Sequence, residues 1–163
     1  MSEVLRLIEK HRANGLLLDA NLLILLLVGR TNKRRVPECN RTRAYSIKEY
    51  ELLEGIVGRF SVVVTTPHVL TEVDDLLPFH GKEKQRFQAL FKEWAERGAE
   101  SYDESRQLVA DVNFGRLGLA DAAIGVVSRR GMLVLTDDFP LYGTLSKQGI
   151  DVINFNHIRT WVW

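Results

Sequence analysis

The chain has 163 residues, a formal net charge of +1, 45% hydrophobic and 26% charged residues, and one cysteine. That length fits a single domain spanning 1–163, and the ordinary composition excludes disordered, collagen-like and disulfide-stapled classes. Cys39 alone closes no intrachain disulfide, and no Cys/His spacing suggests zinc, so a reducing compartment is expected.

Apolar positions at Val4, Leu5, Leu7 and Ile8 predict a short helix over 4–11, stopped by Asn14-Gly15. Residues 1–15 therefore read as an N-terminal helical extension. They lack the basic start of a signal peptide, so the cytoplasm is the expected location. Leu16-Leu17-Leu18-Asp19 reads as a buried strand turning directly into a helix over Leu22 to Val28, with Asn21 as its cap. The run 16–28 is too short for a bilayer helix, which needs roughly 20 apolar residues, and it contains Asp19. No membrane partner is expected.

Residues 29–45 are polar, basic and unperiodic, and predict a long basic loop. Between Arg30 and Lys48 there are seven basic residues and one acidic, a net of +6, which leaves −5 for the remainder. The near-zero sum hides two opposed regions. Ser46 and Glu49 form a capping box for a helix to about Gly58, and Ser61 to Thr65 is a β-branched buried strand. Thr66 and Pro67 then open a helix to about Leu77, with Pro78 and Gly81 breaking the chain. A helix over Lys82–Arg97 carries Phe87, Leu90, Phe91 and Trp94 on one stripe. Further helices are expected over 103–111, 119–130 and 141–148, with strands at 132–136 and 151–155. Four apolar strands alternating with helices predict an α/β fold with a parallel central sheet covered on both faces.

Ligands of such sheets bind beyond the carboxyl ends of the strands. Asp19 ends the first strand, Glu72 lies one turn into the helix after the second, and Asp137 and Asp138 follow the third. Asp121 stands near the start of the helix that feeds the third strand. Converging carboxylates repel unless a cation joins them, and hard oxygen donors select Mg²⁺ or Mn²⁺. Such a site suits metal-assisted phosphodiester hydrolysis. Each acid also has a structural role open to it: Asp19, Asp121 and one of Asp137 and Asp138 as helix-terminal groups, Glu72 as a solvated helix charge. His11, His68, His80 and His157 show no ligand spacing, His68 is expected to pack beside Glu72, and Trp161 and Trp163 are expected to cover the core.

The segments LLLDANLLILLLVG at 16–29, TTPHVLTEVDDLL at 65–77, GLADAAI at 118–124 and LVLTDDFPLYGTL at 133–145 resemble, in order and spacing, those of the PIN-domain nucleases. The resemblance implies a three-layer α/β/α sandwich, Rossmann-like in its parallel sheet, and a Mg²⁺- or Mn²⁺-dependent endoribonuclease. Asp19, Glu72, Asp121 and Asp138 match the family's catalytic and metal-binding acids; Asp137 fills a variable position and is held in reserve. Asn21 matches the family's DxN pattern, and Thr136 the threonine that orients the site. RNA is the implied substrate, a homodimer the expected assembly, and an antitoxin protein a candidate partner. The 15 residues before the first strand and the long basic stretch depart from the family's toxins. Arg34, Arg35, Arg41 and Arg43 are candidates to hold RNA phosphates. The alternative is a catalytically weak PIN-like module used for nucleic-acid binding or scaffolding.

Overall fold

The computed structural model describes residues 2–76 and 79–162; Leu77, Pro78 and Trp163 lie outside the described residues, and with them the predicted helix end at Leu77, the break at Pro78 and the role expected of Trp163. Helix α1 covers Ser2–His11, and strand β1, Leu16–Leu18, is wholly buried. The expected strand-to-helix turn follows, but the cap is Asp19, whose side chain accepts the Leu22 N–H. Asn21 instead lies in the first turn of α2, Ala20–Asn32. Starting two residues earlier lets Asp19 keep extended backbone (φ −72°, ψ 169°), the conformation a capping residue needs.

Helix α2 is buried on nearly every side and forms the hub of one face, against α3 (Ile47–Val57), α4 (Pro67–Asp75) and α5 (Gly81–Arg97). Leu22 to Leu27 are each at most 1% exposed. Truncating one of them to alanine costs about 2–5 kcal/mol in a core that cannot collapse around the cavity. Gly29 is required where α3 crosses, because a Cβ there would stand 2.2 Å from the Tyr50 ring.

The predicted basic loop is a structured segment. Helix α2 runs on to Asn32, a 3₁₀ turn covers Lys33–Arg35, and hydrogen-bonded turns follow. Val36, Cys39, Thr42 and Tyr45 recur every third residue and are buried, which gives the turns an apolar side that the basic composition conceals. The Ser46–Glu49 capping box then starts α3 as expected.

Strand β2 is Val63–Thr65, and a fifth strand, β3 (Ala99–Glu100), follows α5. Sequence reading expected four strands. Two exposed residues carry no apolar pattern, and β3 forms because Gly98 delivers the chain alongside β2, pairing Val64 with Ala99 and Thr65 with Glu100. The helix expected over 103–111 is a single turn, α6 (Ser105–Leu108), and a second short turn, α7 (Phe114–Leu117), follows beyond it. Asp103 and Asp111, at the ends of the expected helix, are drawn to Arg130 and Arg129. Helix α8 (Leu119–Ser128), β4 (Leu133–Thr136), α9 (Phe139–Lys147) and β5 (Val152–Asn154) complete the alternation. A short α10 (Phe155–Ile158), capped by Asn154, closes the chain with a last 3₁₀ turn.

All five strands are parallel, in the order β3-β2-β1-β4-β5. The chain moves outward from β1 to β3, then crosses back to β4 and β5. With right-handed crossovers the two excursions place their helices on opposite faces, giving a three-layer α/β/α sandwich. The order reverses between β1 and β4. A crevice is expected at that switch point, beyond the strand carboxyl ends. No helix among the described residues is long and apolar enough to cross a membrane.

Candidate active site

The carboxyl ends of β1 and β4 carry Asp19 and the Thr136-Asp137-Asp138 turn. Asp19 is 4% exposed, and both its oxygens are engaged. Oδ1 accepts the Leu22 N–H at 2.8 Å; Oδ2 accepts the Asp137 N–H at 2.9 Å and the Thr136 hydroxyl. Thr136, fully buried, in turn accepts the Asp138 N–H at 3.0 Å, so one hydroxyl fixes the geometry of both neighbours. Burial first, and the charge of Asp137 next, push the Asp19 carboxyl up to about 8. The capping role and the crevice position fall on the same side chain.

The adjacent acids face different ways. Asp137 accepts Asn21 Nδ2 at 3.0 Å and the Tyr45 hydroxyl, and its backbone carbonyl accepts Asn156 Nδ2 at 2.7 Å. Asp138 caps α9 through the Leu141 N–H at 2.7 Å. Gly118, at φ +86°, turns the chain into α8 and places Asp121 in the first turn. The Asp121 carboxyl has no hydrogen-bond partner among the described residues. Burial, then Asp138 and Glu72, raise it to about 7. Glu72 is exposed on α4.

The acids thus stand in two sets, Asp19 with Asp137 and Asp121 with Asp138 and Glu72, joined through Thr136. Among the described residues no three His, Cys, Asp or Glu side chains are gathered closely enough to hold one metal ion. In kind, however, the donors suit a hard cation. Asp19, Glu72, Asp121, Asp137 and Asp138 have no basic partner within ion-pair distance among the described residues. Elsewhere the buried and half-buried carboxylates are paired, among them Glu54 with Arg30, Glu49 with Arg159, Asp103 with Arg130 and Asp111 with Arg129, whereas the exposed Asp74, Asp75 and Glu100 are not.

The four arginines of the basic segment are separated. Helix α2 begins at Asp19 and, with 13 residues, carries the chain about 20 Å away, so Arg34 and Arg35 lie at the far end. Arg35 is held there by Glu38 and Glu83, over the Phe79 ring. The chain returns at Tyr45. Arg41 and Arg43, both exposed, sit on that returning stretch, Arg43 two residues from the side chain that touches Asp137.

Sequence reading missed Tyr45, Asn156 and Arg159. Arg159 bonds Glu49 and the Ala44 carbonyl and stacks 4.6 Å over the Tyr45 ring. The every-third-residue spacing ending at Tyr45 was the available signal; the two C-terminal residues had none. His11 is a satisfied buried histidine, bonded to Asp151 and to the Gly131 carbonyl. No hydrogen bond or ion pair joins His68 to Glu72, and His68 Nδ1 is buried without a partner among the described residues. Trp161 packs partly buried against the core. No protein-family model matches the chain, and neither the curated proteins nor the solved structures contain a match.

Proposed function

We propose that the chain is a Mg²⁺- or Mn²⁺-dependent endoribonuclease of the PIN-domain kind. The carrying observation is the set of carboxylates without basic partners at the β1–β4 switch point, in a molecule that pairs its other buried acids. Such a set is stable near neutral pH only with protons or a cation bound. Asp19, Glu72, Asp121 and Asp138 would supply donors to one or two cations, with Asp137 in reserve. Because no three such side chains among the described residues are gathered around one point, waters would complete each shell. A hard divalent cation supplies charge neutralisation at a scissile phosphate and acidity toward water.

The chain's own residues do the positioning. Thr136 fixes Asp19 and the Asp138 backbone together, Asn21 and Tyr45 hold Asp137, and Arg43 and Arg41 offer charge to flanking phosphates. Water is the attacking group in this reading. A cytoplasmic location, a homodimeric assembly and an antitoxin partner belong to the same reading.

One observation favours a second reading, a PIN-like module that binds RNA with little catalysis. Both oxygens of Asp19 and both of Asp137 are already hydrogen-bonded within the protein. Cleavage of labelled RNA in Mn²⁺ separates the two. Wild type is expected to cut, and Asp19→Asn to lose more than about a hundredfold, beyond the loss from an outer partner of a metal site. Equal cutting by a folded Asp19→Asn contradicts the nuclease reading; binding without cutting by wild type favours the module.

A further inference from the structure

Directly beyond Asp138 lies an aromatic surface that the fold does not use. Phe139, the first residue of α9, is 57% exposed. Its ring stands 5.8 Å from His157, which meets Tyr142 edge-on at 5.2 Å. Tyr142 and His157 line a groove of about 560 Å³ that follows the outer side of β5 from Asn154 back to Asp151, with Val4 and Leu7 of α1 in its wall. Phe139 is not part of its lining and adjoins it through His157. That volume lies in the usual small-molecule range of roughly 300–1,000 Å³.

Two features give the groove polar character. β5 ends the sheet, so its outer side pairs with no further strand and keeps backbone donors and acceptors available. Asn154 is 1% exposed; its Oδ1 accepts the Asn156 N–H at 2.9 Å, and its Nδ2 has no partner among the described residues. Buried amide N–H groups are rarely left unpaired. Asn154 also pairs in register with Thr136, two residues from Asp138. An exposed π-face, an unpartnered buried donor and a cavity therefore adjoin the acidic edge.

We propose that Phe139 and this groove form a nucleobase subsite that takes one unpaired base of single-stranded RNA beside the scissile phosphate. Phe139 stacks on the base, and Asn154 Nδ2 donates to a ring nitrogen or carbonyl on its rim. A base inside a duplex keeps both faces stacked on its neighbours, so Phe139 can stack only on an unpaired base, and the substrate is single-stranded. This inference rests on the ribonuclease reading.

The test is fluorescence anisotropy of a labelled single-stranded RNA of about eight nucleotides, within the usual range of single-strand sites. It is run in Ca²⁺ with the full chain, beside the same RNA carrying one abasic position and beside a duplex. Phe139→Ala changes an exposed residue and should fold; it is expected to weaken binding about tenfold, within what one base–aromatic stack contributes. One abasic position should weaken wild type at least as much as Phe139→Ala does, and should weaken Phe139→Ala less than it weakens wild type. Asn154→Ala should lower affinity at an unchanged fold, read by circular dichroism. If single strands bind and are cut but Phe139→Ala binds as tightly as wild type, the subsite is wrong and the nuclease stands. Duplex bound as tightly as single strand also overturns the subsite. If wild type neither binds nor cuts RNA, both readings fall.

Discussion

The two ends of the sheet handle carboxylates in opposite ways. At the amino-terminal end Asp151 is clasped by Lys10 and by the buried His11, which also contacts the Gly131 carbonyl. At the carboxyl end Asp19 is still more deeply buried and has only neutral donors, with Asp137 as its charged neighbour. Hydrogen bonds from Lys10 and His11 hold the Asp151 carboxyl below its ordinary value, whereas burial drives Asp19 and Asp121 above theirs. One end is built for stability. The other gathers carboxyl groups that lack a counter-charge, two of which keep their protons well above the ordinary range, as groups in binding and catalytic sites do.

The largest expected effect is on stability against pH. Asp151 contributes stability present above the unfolded-state value and lost as pH falls through its lowered folded-state value. Asp19 and Asp121 behave with the opposite sign: the folded state keeps protons that the unfolded chain releases from about pH 4 upward. Their contribution is present below that range and lost as pH rises toward 7 and 8. The Tm of metal-free protein is therefore expected to fall by several degrees between pH 5.5 and about 8.5, and to fall less in Asp19→Asn. A Tm profile of equal slope in both proteins would break the contrast between the ends.

Tyr45→Phe sharpens the same contrast within the carboxyl end. It removes the hydroxyl bonded to Asp137 without opening a cavity, so RNA cleavage is expected to drop about tenfold, the lower end of what outer partners of a metal site contribute. Unfolding by urea should scarcely change, and a large stability loss with unaltered cleavage per folded molecule would make the contact purely structural.

The smallest effects belong to the arginines. Arg43→Ala is expected to reduce the slope of log affinity against log salt by about one, as loss of one phosphate contact does. Arg34→Ala, at the far end of α2, should leave that slope unchanged. Equal effects of the two would place RNA along the whole basic segment instead of at the acidic edge.

Much of the fold was legible because parallel strands buried on both faces advertise themselves as short apolar runs. Leu16–Leu18, Leu133–Thr136 and Val152–Asn154 do so, and Asp19, Asp137 and Asp138 were readable as strand-end acids. β3 was not, since Ala99 and Glu100 owe their strand state to pairing with β2 and carry no pattern of their own. The 29–45 segment misled because charge dominated its composition while a three-residue spacing of buried side chains dictated its turns. Tyr45 and Arg159 were invisible for a related reason: residues 114 positions apart in sequence are brought to one acidic edge only by the closed fold.

The central claim is that the carboxyl end of the sheet gathers carboxyl groups for a divalent cation. Calorimetric titration of Mn²⁺ into the full chain at neutral pH tests it most directly, beside Asp19→Asn/Asp121→Asn. Saturable binding to wild type with proton release, and its loss in the double variant, is the expected result, because carboxyls near pH 7 and 8 must lose protons to the incoming metal. No binding to wild type, or the same binding to both proteins, would contradict the account.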